Sequence, residues 1–268
     1  MAGSDADVAQ GIRSLHERLD QIEHLVGQRV VDACTHPGEW VHVHAQRELP
    51  AWKRRTEGEA RWQVTICAVI AIGLEVAVPG RLVVIHPVWV LPGLQAALLI
   101  ALIAMNPGRI SRESQAITLL RLTLALLLSF SNAWSLVRLL IDLVQGSAET
   151  NQPGPLLITG GAIWLTNVIV FGLWYWGADR GGPADRAAGT NPYPDFLFVQ
   201  MQSPELAPKD WEPSFLDYLY LAFTNATAFS PTDTMPLSRW AKLTMTAQSA
   251  ISIVTGALVV ARAVNILK

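Results

Sequence analysis

A run of hydroxyl side chains that ends at a carboxylate is the part of this sequence best suited to chemistry. It follows a short apolar stretch that begins at Phe215, and its polar residues are Thr224, Asn225, Thr227, Ser230, Thr232 and Asp233. Pro231 and Pro236 prevent it from continuing as a regular helix. A broken apolar helix is tolerated in a membrane only where its backbone is buried in protein or lines an aqueous cavity. We therefore expect this segment to be the functional centre.

The composition is that of a membrane protein with a polar appendage. The 268 residues are 51% hydrophobic and 16% charged, with a formal net charge of −2. This balance argues against a soluble enzyme with a large core and gives no reason to expect nucleic acid as a partner. Cys34 lies in a polar region and Cys67 in an apolar run, so no disulfide framework is expected. No signal peptide is recognised at the N-terminus, and we expect insertion through the first span.

Five apolar runs predict membrane spans, and the first two of them are near the minimum length for a span. They cover residues 64–78, 88–105, 115–144, 156–176 and 240–267. The predicted fold class is all-α, a polytopic helical membrane protein with about five spans plus a re-entrant, pore-like helix and loop. Residues 62–145 form a three-span region, and residues 155–268 form a region that contains a span, a long loop, the short helix, the polar segment and the last span. Lipid is the expected surrounding, in the inner or plasma membrane.

Residues 1–31 predict an amphipathic helix. Its apolar positions have the 3-4-3-4 spacing of a coiled-coil seam and are Ile12, Leu15, Leu19, Ile22 and Val26. Such a helix either assembles copies of the chain or docks on its own protein. Residues 32–61 form a polar, basic linker whose cations, Arg47, Lys53, Arg54, Arg55 and Arg61, precede the first span. Basic residues at that place indicate a cytoplasmic N-terminus.

The same linker contains the only candidate metal ligands that the sequence suggests. They are Cys34, His36, His42 and His44, and their spacing matches no strong zinc pattern. Exposed linker histidines are the commoner explanation, so no metal and no cofactor is predicted.

Residues 218–243 resemble the pore module of tetrameric potassium-type cation channels. In that family a short helix leads into a Thr-Val-Gly-Tyr-Gly-Asp filter, which precedes a helix with a Trp-Gly-Arg-like start. By this resemblance Thr227 stands at the filter threonine and Asp233 at the filter aspartate. The glycine-rich core is replaced by Ala228, Phe229, Ser230, Pro231 and Thr232. A carbonyl cage needs glycine torsions, so we expect hydroxyl and carboxylate chemistry toward small cations instead.

The segment also resembles the C-terminal half of a family of uncharacterised bacterial integral membrane proteins. That family has an Asp-x-x-Tyr-x-x-Phe helix before a Ser/Thr-Asp turn and a basic start to the last span. The matching residues are Asp217, Tyr220, Phe223, Asp233 and Arg239. This resemblance implies an architecture and a bacterial source, and no activity.

The last span carries a polar stripe at Thr244, Gln248, Ser252 and Thr255. Their spacing places them on one helix face, which predicts either a pore lining or a packing face between spans. Arg262 opposes a cation pore, because a ring of arginines at one mouth repels cations. On the third span, Arg138 and Asp142 are four residues apart, and we expect them to pair.

The distribution of basic residues places the long loop before the polar segment on the side of the N-terminus. If the N-terminus is cytoplasmic and four spans follow, the long loop is cytoplasmic too, whereas an ordinary potassium channel has this loop outside. Either the pore loop enters from the cytoplasm, or residues 215–229 cross as a sixth span.

The predicted function is a non-enzymatic, homo-oligomeric pore-loop cation channel with a non-standard filter, tetrameric by resemblance. The alternative is a non-conducting membrane scaffold or regulatory protein that recruits a partner through its N-terminal helix. A transporter is third, because no internal repeat supports it.

Overall fold

The computed structural model describes residues 50–110, 114–145, 152–227 and 233–266. The chain divides into Met1–Pro50 and Ala51–Lys268, and nearly all described residues belong to the second unit. The predicted N-terminal helix, most of the basic linker and the central filter-like residues 228–232 lie outside the described residues. So do the candidate metal ligands Cys34, His36, His42 and His44.

The described part is predominantly helical, which confirms the all-α class. Its α-helices are α1 (Trp62–Ala77), α2 (Val90–Met105), α3 (Gln115–Gln145), α4 (Pro153–Ala178), α5 (Pro183–Ala188), α6 (Val199–Gln202), α7 (Phe215–Thr227) and α8 (Arg239–Ile266). Three of them, α3, α4 and α8, are long and apolar enough to cross a membrane, while α1 and α2 are shorter apolar helices. These features support a multi-pass membrane protein.

Two short antiparallel sheets join segments that are far apart in the chain. Strand β1 (Glu59–Ala60) pairs with β2 (Arg109–Ile110), and β3 (Phe196–Leu197) pairs with β4 (Met235–Pro236). The first sheet brings the start of α1 to the end of α2, and the second brings the long loop to the start of α8. We call this end of the molecule the cap, made of residues 51–61, 106–110, 179–214 and 233–238.

Helix α4 is the centre of the bundle. It packs against α1, α3, α7 and α8, and half of its most apolar window is buried in the protein. Gly172 lets α7 approach closely, because a Cβ there would lie 3.3 Å from the Cα of Leu219.

Helix α7 runs antiparallel to α4, starting at the cap. The rings of Trp176 and Phe215 are 5.8 Å apart near the cap, and those of Trp164 and Phe223 are 5.9 Å apart further along both helices. Its 13 residues rise about 20 Å, less than the roughly 30 Å of a bilayer core. The chain is described again from Asp233 and is paired with β3 in the cap at Met235.

The ion pair at the other end of the bundle differs from the predicted one. Asp142 on α3 contacts Arg81 in the α1–α2 connection at 2.9 Å. Sequence spacing suggested Arg138 as the partner, because positions on one helix are the only neighbours that spacing can reveal. Helix packing brings Arg81 to Asp142 from another part of the chain.

Candidate functional site

The inner end of α7, away from the cap, presents hydroxyl oxygens and helix carbonyls. Thr227 is exposed and its Oγ1 donates to the carbonyl of Phe223 at 2.9 Å, while Oγ1 of half-buried Thr224 donates to the carbonyl of Tyr220 at 3.0 Å. Both hydroxyl hydrogens are thus used within the helix, and the oxygen lone pairs remain free to accept. The last carbonyls of a helix also carry the negative end of its dipole. This end of α7 is suited to attract a cation.

An amide network fixes α7 against α8. The Asn225 Nδ2 donates to the carbonyl of Met245 at 2.9 Å and to the Gln248 Oε1 at 2.8 Å. The Ser249 hydroxyl donates to the Asn225 Oδ1 at 3.1 Å. Both Nδ2 hydrogens and the amide oxygen of Asn225 are therefore satisfied, although only 2% of this residue is exposed.

Gln248 connects the same network to α4. Its Oε1 also accepts from the Tyr175 hydroxyl at 2.7 Å, and its Nε2 donates to the carbonyl of Ala222 at 2.8 Å. Tyr175 and Gln248 are both fully buried. Unpaired polar groups are costly in apolar surroundings, so these bonds determine how α4, α7 and α8 fit together.

The predicted pore-lining stripe of the last span faces the interior of the chain itself. Gln248, Ser252 and Thr255 are buried, and Thr244 is half-buried. The Oγ1 atoms of Thr244 and Thr255 donate to carbonyls of their own helix, at 2.9 and 2.7 Å. Within one protomer these residues form a packing face, the second of the two interpretations that the sequence allows. Their role in lining a pore stays a prediction.

A buried ion pair holds the cap together. Arg186 contacts the Glu59 carboxylate at 2.7 Å, and both side chains are at least nine-tenths buried. The Trp176 Nε1 donates to the other Glu59 oxygen at 2.6 Å, and Arg186 donates to the Trp176 carbonyl at 2.7 Å. This closed set of bonds ties the segment before α1 to the end of α4.

Two aspartates tie the ends of three helices together. The Tyr218 hydroxyl on α7 donates to the Asp179 Oδ2 at 2.5 Å, and the Asp195 amide donates to the Asp179 Oδ1 at 2.7 Å. The Trp240 Nε1 on α8 donates to the Asp195 Oδ1 at 2.8 Å. The cap thereby fixes the end of α4, the entry into α7 and the entry into α8.

Glu212 lies at the edge of this frame, before α7. Burial raises its pKa above the ordinary value, and the nearby Glu59 carboxylate raises it further, while a hydrogen bond with Thr56 and the charges of Arg186 and Arg109 oppose the rise.

The remaining predicted filter residues are only partly described. Asp233 is exposed and lies six residues before the start of α8 at Arg239. Ala228, Phe229, Ser230, Pro231 and Thr232 lie outside the described residues. Across the described ranges, no group of three or more His, Cys, Asp or Glu side chains is arranged to hold a metal ion.

A cavity of about 530 Å³ lies between α3, α4 and α8. Most of its lining is apolar, but Asn132 and Asn167 face it, and each is 5% exposed. The Nδ2 of Asn167 is buried without a hydrogen-bond partner. The volume is within the range of small-molecule sites.

Sequence reasoning missed the residues that support α7. Glu59 and Arg186 are 127 positions apart, and Tyr175 and Gln248 are 73 apart, so no local spacing links them. The available signal was chemical: Asn225 and Gln248 are amides within apolar helices, and such residues are usually paired with one another.

The chain matches no family model, no curated protein and no solved structure.

Proposed function

We propose that this protein is a homo-oligomeric pore-loop channel for small cations, with α7 as its pore helix. The observation that carries the proposal is the course of the chain around α7. The helix begins at the cap, extends about 20 Å to Thr227 and is followed by a return to the cap at Met235. A segment that enters and leaves by the same face is re-entrant; here Thr227 is at the inner end of α7, and Asp233 is where the described chain has returned to the cap.

The order of the neighbouring elements supports this function. An apolar helix (α4), a structured connection, a short helix (α7), a polar segment and a second apolar helix (α8) follow one another. Potassium-type pore modules, which residues 218–243 resemble, have the same order. The short helix packs between the two long ones, as a pore helix does. By that resemblance the oligomer is a tetramer around the tips of α7.

The chemistry of the tip favours cations. The helix dipole places partial negative charge at Thr227, and the threonine hydroxyls offer oxygen atoms. Nearer the cap, four copies of Asp233 would form a ring of carboxylates. Pro231 and the missing glycines argue against the carbonyl cage that selects potassium. We therefore propose a pore that discriminates between cations less strongly than a potassium channel does.

The charge distribution supports entry of the loop from the cytoplasm. The cap and the start of α8 carry more basic residues than the opposite end, among them Lys53, Arg54, Arg109, Lys209 and Arg239. Residues 51–61, which precede α1, lie in the cap at the same end. By the positive-inside rule, this end and the N-terminus lie on the cytoplasmic side.

Cation flux from liposomes tests the proposal. Purified protein is reconstituted, and efflux of K⁺ and Na⁺ is measured for the wild type, Thr227→Ala and Asp233→Asn. Thr118→Ala on α3 is a matched control, because its hydroxyl makes the same bond to the carbonyl four residues earlier. We expect wild-type flux, reduced flux in the first two variants and unchanged flux in the control.

Lack of wild-type flux at all voltages, pH values and membrane tensions would contradict the channel and favour the non-conducting scaffold. A mass measurement in nanodiscs adds an independent check, because a stable monomer is incompatible with a shared pore.

A further inference from the structure

A second polar site lies at the end of the bundle that is remote from the cap. Glu75 on α1 is thirteen residues after Trp62, about 20 Å along the helix from the cap. Gln95 on α2 and Ser131 on α3 meet it there, so three helices contribute one polar side chain each. None of these residues belongs to the proposed pore.

The hydrogen bonds within this group leave oxygen atoms facing each other. The Ser131 hydroxyl lies within hydrogen-bonding distance of the Glu75 Oε1 and, at 3.2 Å, of the Leu128 carbonyl. A hydroxyl has one hydrogen, so it can donate to only one of these two acceptors. With Glu75 ionised, the other pair of oxygens then lies close together with no proton between them.

Gln95 has an unused oxygen atom at the same place. Its side chain is fully buried, its Oε1 has no hydrogen-bond partner, and its Nε2 is 3.5 Å from the Ser131 Oγ. The nitrogen and oxygen of an amide are assigned from their hydrogen bonds, and rotation of this amide would bring Oε1 toward Ser131. With Nε2 toward Ser131, Oε1 is buried without a donor, which is costly. In the rotated orientation Oε1 faces Ser131 and is placed to bind a cation there.

The charge of the group points to a monovalent cation. The partners of Glu75 are a neutral hydroxyl and a neutral amide, while Arg81 nearby contacts Asp142 at 2.9 Å. A carboxylate on an apolar helix needs compensation. Oxygen ligands suit hard cations, and one carboxylate balances one positive charge, whereas Ca²⁺ and Mg²⁺ sites usually contain more acidic groups or waters.

We propose that Glu75, Ser131 and Gln95, with the Leu128 carbonyl, bind one Na⁺ ion that joins α1, α2 and α3. The ion satisfies the Gln95 oxygen, separates the facing oxygens around Ser131 and neutralises Glu75. This site is structural and is independent of the pore at α7, so its test and the flux test can fail separately.

Thermal unfolding in detergent tests the site. The Tm of the purified full-length protein is measured at constant pH while NaCl replaces choline chloride at fixed ionic strength, with KCl as a second series. A ligand that binds the folded state raises Tm with the logarithm of its concentration. We expect this rise for wild-type protein in Na⁺, a smaller rise in K⁺, and its loss in Glu75→Gln.

A pair of serine variants keeps the proposal testable if Glu75→Gln does not fold. Ser131→Ala removes a proposed ligand, while Ser135→Ala removes a hydroxyl one turn further along α3 that donates to the Leu82 carbonyl at 3.2 Å. We expect Ser131→Ala to shift the Na⁺ response to higher concentration and Ser135→Ala to retain it. An equal response to Na⁺, K⁺ and choline, or a full Na⁺ response in Glu75→Gln or Ser131→Ala, would overturn the proposal.

Discussion

The fit of α7 against α8 can be measured as a coupling energy between Asn225 and Gln248. Each of these side chains makes three hydrogen bonds. One of the bonds joins the two residues, from Asn225 Nδ2 to Gln248 Oε1 at 2.8 Å. A buried hydrogen bond contributes about 1 kcal/mol to stability. Each alanine variant should therefore lower the free energy of unfolding by about 3 kcal/mol.

The double variant should lose less than the sum of the two single variants. It removes five different bonds rather than six, so the expected coupling is about 1 kcal/mol, close to the values of about 0.6 to 1.7 kcal/mol found for hydrogen bonds between membrane helices. Free energies of unfolding from titration of mixed micelles with a denaturing detergent would give all four corners of the cycle.

The control cycle combines Asn225→Ala with Thr255→Val. Thr255 is on the same face of α8 but donates within its own helix to Ile251 at 2.7 Å. Its effect should add to that of Asn225→Ala within about 0.5 kcal/mol. Additivity in the Asn225 and Gln248 cycle as well would refute the proposed attachment of α7.

Three further predictions concern packing, burial and pH. Gly172→Ala should destabilise the protein because its Cβ meets the backbone of Leu219, whereas the Cβ of Gly161→Ala on the same helix meets no atom within 4 Å. A lower Tm for Gly172→Ala than for Gly161→Ala would support this, and equal Tm values would contradict it. Asn167→Leu should raise Tm, since it removes a buried amide nitrogen without a partner; a lower Tm would mean that a ligand or neighbouring copy binds this amide. Burial raises the folded-state pKa of Glu212, so ionisation of Glu212 disfavours the folded state. The Tm of Glu212→Gln minus that of the wild type should therefore increase as pH rises above the ordinary carboxyl range. A Tm difference that does not change with pH would refute this.

The helices could be predicted from the sequence because a long apolar run itself indicates where a membrane helix begins and ends. The predicted run 115–144 corresponds to Gln115–Gln145, and the run 240–267 corresponds to Arg239–Ile266. The short helix from Phe215 was also predicted, since its apolar residues give way to polar ones within four turns. The described part thus agrees with the coarse prediction of an all-α, multi-pass chain.

The cap and the polar networks could not be predicted in this way. Arg186 pairs with Glu59 from a distant segment, and the long loop appeared only as a stretch rich in Gly, Pro and Asp. The polar stripe of α8 was ambiguous for a physical reason: a pore lining and a packing face need the same spacing. Only the neighbours of Gln248, which are Tyr175 and Asn225, show what that residue contacts.

Current through an Asp233→Cys variant shows whether cations pass the segment that follows α7. In a background with Cys34 and Cys67 replaced by alanine, a cationic thiol reagent is applied to each side of a planar bilayer in turn. Tyr193→Cys, 80% exposed in the cap, is the control for reagent access. The account predicts that modification from the cap side reduces cation current in Asp233→Cys and leaves that of Tyr193→Cys unchanged. Unaltered current in modified Asp233→Cys, or modification only from the opposite side, would contradict it.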